Sequence, residues 1–364
     1  MRWCASISSS IHRSCKNFVA MITSEASIFK KHDESALEIV EREMQPADRK
    51  VFTWDDARFM LEWPILKFAA AAMPENRWAD VAMWVEQMKV RLGQRSPATL
   101  APVIQRALGL ARIQEAEAVA WRAGAGRTEH HIQVVKVRSR AGWSPEMRLE
   151  GEKHLEAALA RGRGAILWVA HFCFNTQVTK MALKAGGYHV SHLSRPEHGF
   201  SKSQFGIRYL NPLRCNAELR YLDKRIIIDR ARPGSSLREA KIVLEDNGVV
   251  SITAGAWEGH RVARGPLLGG RFSLATGAPE LAQRTGAALL PVITTRIAGS
   301  RTFRVNIGQP LVTDFEDKLD AIRSATAGFL AVLEMAVLES PDQWRGWKYL
   351  EFANANVMRR AAVT

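Results

Sequence analysis

In the segment LWVAHFCFNTQ, residues 167–177, an apolar run leads into His171 and then into a polar stretch that reads as the start of a helix. An imidazole, with an ordinary pKa near ~6.5, is the usual side chain for taking a proton from a hydroxyl at neutral pH. It works best when a carboxylate orients one ring nitrogen and stabilises the imidazolium that forms. On a strand-to-helix turn that carboxylate would sit about five residues on, one turn into the helix. The residue there is Thr176, flanked by Asn175 and Gln177. All three can hydrogen-bond and none carries a charge. Two acids elsewhere are candidates to reach His171. Glu258 belongs to a later loop, and Asp229 ends the apolar run IIID, where the ordinary job is to cap the next turn. Cys173 lies two residues past His171 and would share its face in extended chain, which suits a Cys/His pair and a covalent acyl-cysteine. The competing reading of Cys173 is a small buried apolar residue, and that of His171 is a structural residue at a strand end.

The elements around these residues decide whether His171 meets a ligand. Residues 164–170 are continuously apolar, as in a strand covered on both faces. Further strands are expected at residues 188–193, 225–229, 249–253, 288–295 and 303–307, separated by helices near 174–186, 236–245, 275–286 and 315–339. That alternation predicts an α/β fold with a mainly parallel central sheet flanked by helices, over residues 146–350. In such sheets ligands bind beyond the carboxyl ends of the strands, where His171 falls. Residues 147–161 read as a helix leading into this region. Ahead of it, residues 51–145 read as all-helical. Thr53 and Asp56 form a capping box for a first helix ending before Pro64, and Trp78 to Leu92 forms a second that stops at Gly93. A third starts at Ser96-Pro97 and runs to about residue 111, and a fourth follows from Ile113. Residues 1–50 read as a basic tail, with a short helix and linker over 25–50, and residues 351–364 as a second tail.

Composition bounds the classes of function. A 47% hydrophobic and 24% charged chain is a folded globular protein. Its formal net charge of +14 attracts anionic lipid, acidic protein or nucleic acid. The sequence shows no helix-turn-helix, zinc-finger or aromatic RNA-binding pattern, so specific nucleic-acid binding is not expected. The four cysteines have no disulfide or metal spacing, and the Gly-rich stretches GPLLGG and GAGRT lack nucleotide-loop context and read as turns, so neither metal nor cofactor is expected. No apolar run of about 18 residues is present to span a bilayer. Residues 1–24 are acid-free, with one apolar stripe through Cys4, Ile7, Ile11, Cys15, Phe18 and Ile22. That pattern suits a membrane-surface helix, a transit peptide or a frayed tail.

Five blocks in order, GRGAILWVAHF, SRPEHG, LEDNGVVSITAGAWEGHR, GPLLGGRFSLATGAPELAQRTGAALLPVITTR and SPDQWRGWKYL, resemble the bacterial lipid A biosynthesis lauroyl/myristoyl acyltransferase family, part of the wider glycerolipid acyltransferase group. The resemblance runs from about residue 160 to 350 and implies a glycerolipid acyltransferase-like fold. It also implies transfer of a fatty acyl group from acyl carrier protein or acyl-CoA to a hydroxyl or amine of a lipid-like acceptor. The enzyme would sit at the inner face of the cell membrane. His171 matches the base of the family's HX4(D/E) motif, with Thr176 in the acid's place. Arg195-Pro196 matches an Arg-Pro block. Gly255 stands where the family has a loop aspartate, Glu258 is the nearby acid that could compensate, and Arg261 keeps the basic position after that loop. Asn175, Arg195, Gly255 and Arg261 are the expected substrate contacts. Two missing acids leave a second reading open: a degenerate homologue that binds acyl chains, carrier protein or lipid without transfer.

Overall fold

The computed structural model describes residues 37–42, 49–229, 232–255 and 259–352. The stripe over residues 1–24 and Glu258 both lie outside the described residues.

The chain is α/β. A short strand β1 (Glu38–Glu41) precedes four helices, α1 (Trp54–Ala72), α2 (Trp78–Arg91), α3 (Ala101–Leu108) and α4 (Ile113–Arg138). Next come β2 (Met147–Glu150), α5 (Glu152–Ala160), β3 (Ala165–Val169), α6 (Asn175–Ala185), β4 (Val190–Ser194), α7 (Asn211–Leu219), β5 (Lys224–Ile227), α8 (Pro233–Glu245) and β6 (Val249–Thr253). A hairpin of β7 (Arg261–Leu267) and β8 (Gly270–Ala275) leads to α9 (Gly277–Thr285), β9 (Ala288–Arg296), β10 (Phe303–Ile307) and α10 (Lys318–Glu339). The main sheet has the order β2-β10-β9-β3-β6-β4-β5, and only the β10–β9 pairing is antiparallel. β1, β7 and β8 form a separate antiparallel sheet.

Strand β3 shows why this sheet is apolar on both sides. Ile166 and Trp168 face a core shared with α8, α9 and α10, while Ala165, Leu167 and Val169 face one shared with α5 and α6. The alternation is the period-two geometry of a strand, and both faces are dry. The front helices join both cores: Ile104 and Val119 lie in the first, and Phe59, Leu66, Trp78 and Ile132 in the second. Helix α10 is long and apolar enough to cross a membrane by length and composition, but 56% of its apolar window is buried inside the protein. It packs on the core side of the sheet, with Phe329 against Trp168 at 4.2 Å between ring centroids.

Several expected boundaries move for identifiable reasons. The Thr53–Asp56 capping box is present, but α1 runs through Pro64 to Ala72. Met60 and Pro64 both face solvent, so water can satisfy the carbonyl that the proline leaves open. The stretch before 161 begins as a strand, not a helix, because Met147–Glu150 pair with β10. Gly151 then adopts φ +75, and a Cβ there would run into the Ile307 carbonyl. Residues 38–41 are likewise strand, paired with β7. The expected turn at GPLLGG is a two-residue hairpin loop, Leu268 and Gly269, both with positive φ, whereas GAGRT is no turn but lies inside α4, where Gly124 and Gly126 let Pro97 and Cys173 pack against the helix.

Candidate active site

The carboxyl ends of β3, β4, β5 and β6 open on a cavity of about 670 Å³. Its wall carries His171 beyond β3, Ser194 and Arg195 at the end of β4, Ile228 past β5, and Thr253 and Gly255 at the end of β6. The antiparallel sheet and α9 close the opposite side with Glu41, Arg261, Thr276 and Gly277. A crevice at this place is what a parallel sheet offers to a ligand.

His171 is held by the chain's C-terminal segment. The Arg345 amide donates to the His171 carbonyl at 3.0 Å, and the Cys173 amide donates to the Gln343 carbonyl at 2.8 Å. This pairing brings Arg345 beside the imidazole. Burial pushes the His171 pKa well below the ordinary value, and the positive charges of Arg345, Arg214, Lys348 and Arg195 push it further the same way. The ring is therefore neutral at pH 7, the form that can accept a proton.

Thr176 lies in the first turn of α6 and also lines the cavity. Its hydroxyl is bonded to His130 Nε2 of α4 at 2.9 Å. His130 is fully buried, and burial followed by the Arg214 charge holds its pKa well below the usual range. The position where an acid was expected thus joins a neutral hydroxyl to a neutral imidazole. Asn175 is buried beside it and is not among the residues lining the cavity.

The remaining candidates separate. Arg261 is on the cavity wall and reaches Glu41 and Glu280, with Nε 3.2 Å from Glu41. Asp229 bonds to the Arg232 amide at 3.3 Å and its guanidinium at 3.1 Å, the turn-capping job. Cys173 belongs to the core shared with α5 and α6, and its thiol donates to the Ala123 carbonyl at 3.7 Å. Burial pushes its pKa up to about 11, so the thiolate needed for a covalent acyl-cysteine is disfavoured.

Sequence reasoning missed a second polar group on the same wall. His192 and His198 line the cavity, and Glu218 of α7 lies behind them. Glu218 is 2% exposed and accepts from Lys180, from Arg214 Nε at 2.9 Å, and from His198 Nε2 at 2.8 Å. The sequence signal was the histidine in SRPEHG, and nothing local marked Glu218.

Fold and site together define an α/β protein with a basic, imidazole-lined cavity at the carboxyl ends of its parallel strands. No protein-family model and no curated protein matches this chain. Among solved structures it is similar to the 1-acyl-sn-glycerophosphate (LPA) acyltransferase, PlsC, from Thermotoga maritima, at 14% identity with a TM-score of 0.33. The similarity covers 78% of this chain and 96% of that one.

Proposed function

We propose that the protein is an acyltransferase that moves a fatty acyl group from an acyl carrier protein or acyl-CoA thioester to a hydroxyl or amine of a lipid-like acceptor, with His171 as general base. One observation carries this reading. His171, Arg195, Gly255 and Arg261, picked from three separate sequence blocks, all line one cavity. In the reaction the acceptor's proton passes to the neutral imidazole and the acceptor oxygen or nitrogen bonds to the acyl carbon. The C–S bond breaks, and the departing thiolate takes up a proton. Arg195, Lys202, Arg214, Arg345 and Lys348 around the same space suit the phosphates of acyl-CoA or the acidic face of a carrier protein.

His171→Ala should lower thiol release from palmitoyl-CoA, in the presence of a monoacylglycerol acceptor, by on the order of a hundred-fold. An unchanged rate would remove His171 from the chemistry. The second reading, acyl binding without transfer, is favoured by the Thr176–His130 pair in the acid's place. Its signature is tight palmitoyl-CoA binding by wild-type protein that releases no thiol.

The acceptor's class implies work at a bilayer, on the cytoplasmic face of the cell membrane, and one surface suits it. Trp54, Leu61 and Phe68 recur every seventh residue along the solvent face of α1, with Trp54 79% exposed. Val51 and Phe52 extend the patch, and Phe52 meets Phe205 edge-on at 5.1 Å. Phe205 in turn meets Tyr209 at 5.1 Å. Lys50, Lys67, Lys202 and Arg208 are exposed on the same segments, and Lys202 also lines the cavity. Apolar side chains flanked by cations match an anionic headgroup layer. The double variant Trp54→Glu/Leu61→Glu should lower co-sedimentation with phosphatidylglycerol vesicles at least ~10-fold. Undiminished co-sedimentation would exclude this face.

A further inference from the structure

The cavity holds the histidine–carboxylate pair that base catalysis favours, but not at His171. His198 lies past β4, its Nε2 at 2.8 and 2.9 Å from the two oxygens of Glu218. Glu218 only accepts, so the ring hydrogen sits on Nε2, and Nδ1 is the nitrogen left to take a proton. The side chain is 13% exposed, and the residue is part of the cavity wall. Three features fix the ring in place. The His198 carbonyl accepts from the Cys215 thiol at 3.2 Å, and His192 packs on the ring edge-to-face with centroids 5.9 Å apart. Glu218 is itself locked by Lys180 and Arg214.

The two imidazoles differ in what surrounds the charge they would acquire. The strongest charges acting on His171 are four cations, whereas His198 has a carboxylate in direct contact that favours its protonated form against burial, Arg214 and Lys180, which still hold its pKa down to about 4. A ring oriented by a carboxylate keeps one tautomer and stabilises the imidazolium as it develops. We propose that His198, backed by Glu218, is a second general base of this cavity. The inference rests on the acyl-transfer reading and adds a catalytic residue to it.

The step balances simply. With no acceptor bound, a water gives its proton to His198 Nδ1 as its oxygen bonds to the acyl carbon of the thioester, whereas an acceptor's proton goes to His171. The C–S bond breaks, and the imidazolium returns the proton to the thiolate. A metal is the competing use of these groups, since one donor atom from each of His192, His198 and Glu218 lies within 4.8 Å of the others. Lys180 and Arg214 already hold the same carboxylate, so an ion there would face two positive charges, and proton chemistry is the better fit.

The test is thiol release from palmitoyl-CoA, with no acceptor added, by the full-length protein and its His198→Gln and His198→Ala variants, each checked for folding by its melting curve. Glutamine keeps an N–H donor for Glu218 and cannot take a proton, so it separates packing from base chemistry. Both variants should lose on the order of a hundred-fold in rate, and free imidazole should restore part of the loss in His198→Ala. A His198→Gln rate equal to wild type, or a folded His198→Ala that imidazole leaves unchanged, overturns the proposal while acyl transfer stands. Wild-type protein that releases thiol only with a monoacylglycerol present overturns this proposal alone, and one that releases none with or without it overturns the acyl-transfer reading and this one together.

Discussion

Replacing Glu218 by leucine should cost about 3–5 kcal/mol, enough to leave a protein of ordinary stability close to unfolded. The carboxylate is 2% exposed and answers three donors: Lys180, Arg214 and His198. Burial pushes its pKa up, and His198, Lys180 and Arg214 together outweigh that and hold it well below the usual carboxylate range. Leucine matches the volume of the glutamate stem but strands Lys180, which is 4% exposed, and Arg214, which is 6% exposed. Leaving a buried cation without its counter-charge costs far more than the pair itself contributes. Adding Lys180→Met to Glu218→Leu should therefore recover part of the loss, because one stranded charge disappears with its partner. Urea unfolding of the three proteins checks this. A Glu218→Leu loss under ~1 kcal/mol, the value of an exposed ion pair, would mean that the cluster is solvated.

The parallel strands were legible because burial on both faces leaves a composition signature. Residues 249–253 and 303–307 are strands at the expected bounds, and β3 lies one residue inside its expected run at each end. Strands that depend on a partner were not legible. Met147–Glu150 carries helix-forming residues and becomes extended through pairing with β10. The β7–β8 hairpin contains Arg, Gly and Pro, and only its turn was visible. The residues around the cavity divide in the same way. His171 could be read because its strand ends there, and Arg195, Gly255 and Arg261 because they sit in motif blocks. His130 meets Thr176 across 46 residues, and Glu218 meets Lys180 across 38, from separate helices. Contacts of that kind follow from how the helices pack on the sheet, which no local pattern encodes.

Acid should unfold this protein well before its carboxylates titrate. His130, His171, His192 and His198 are all held below the ordinary value, each chiefly by burial and then by nearby cations, with Glu218 working the other way on His198. The folded-state value for His198 is about 4 against 6.5 when unperturbed. As pH falls through 6.5 the unfolded chain takes up protons at these positions while the folded chain refuses them. Their contribution is thus complete above the unfolded value and is lost on the way down to the folded ones. Each group costs up to ~1.4 kcal/mol per pH unit in that window, so four together approach ~5 kcal/mol per unit. Against a total stability of about 5–15 kcal/mol, this places the midpoint of acid unfolding near pH ~5. Glu129, raised by burial, opposes the trend as one group, and Glu218 adds its own loss only at lower pH. Tryptophan fluorescence in urea series at pH 7, 6 and 5 measures the slope. His192→Gln should flatten it, since an amide can keep the bond to Ser251 and does not titrate. A stability unchanged between pH 7 and 5 would show that these rings are hydrated, and their burial as described would be wrong.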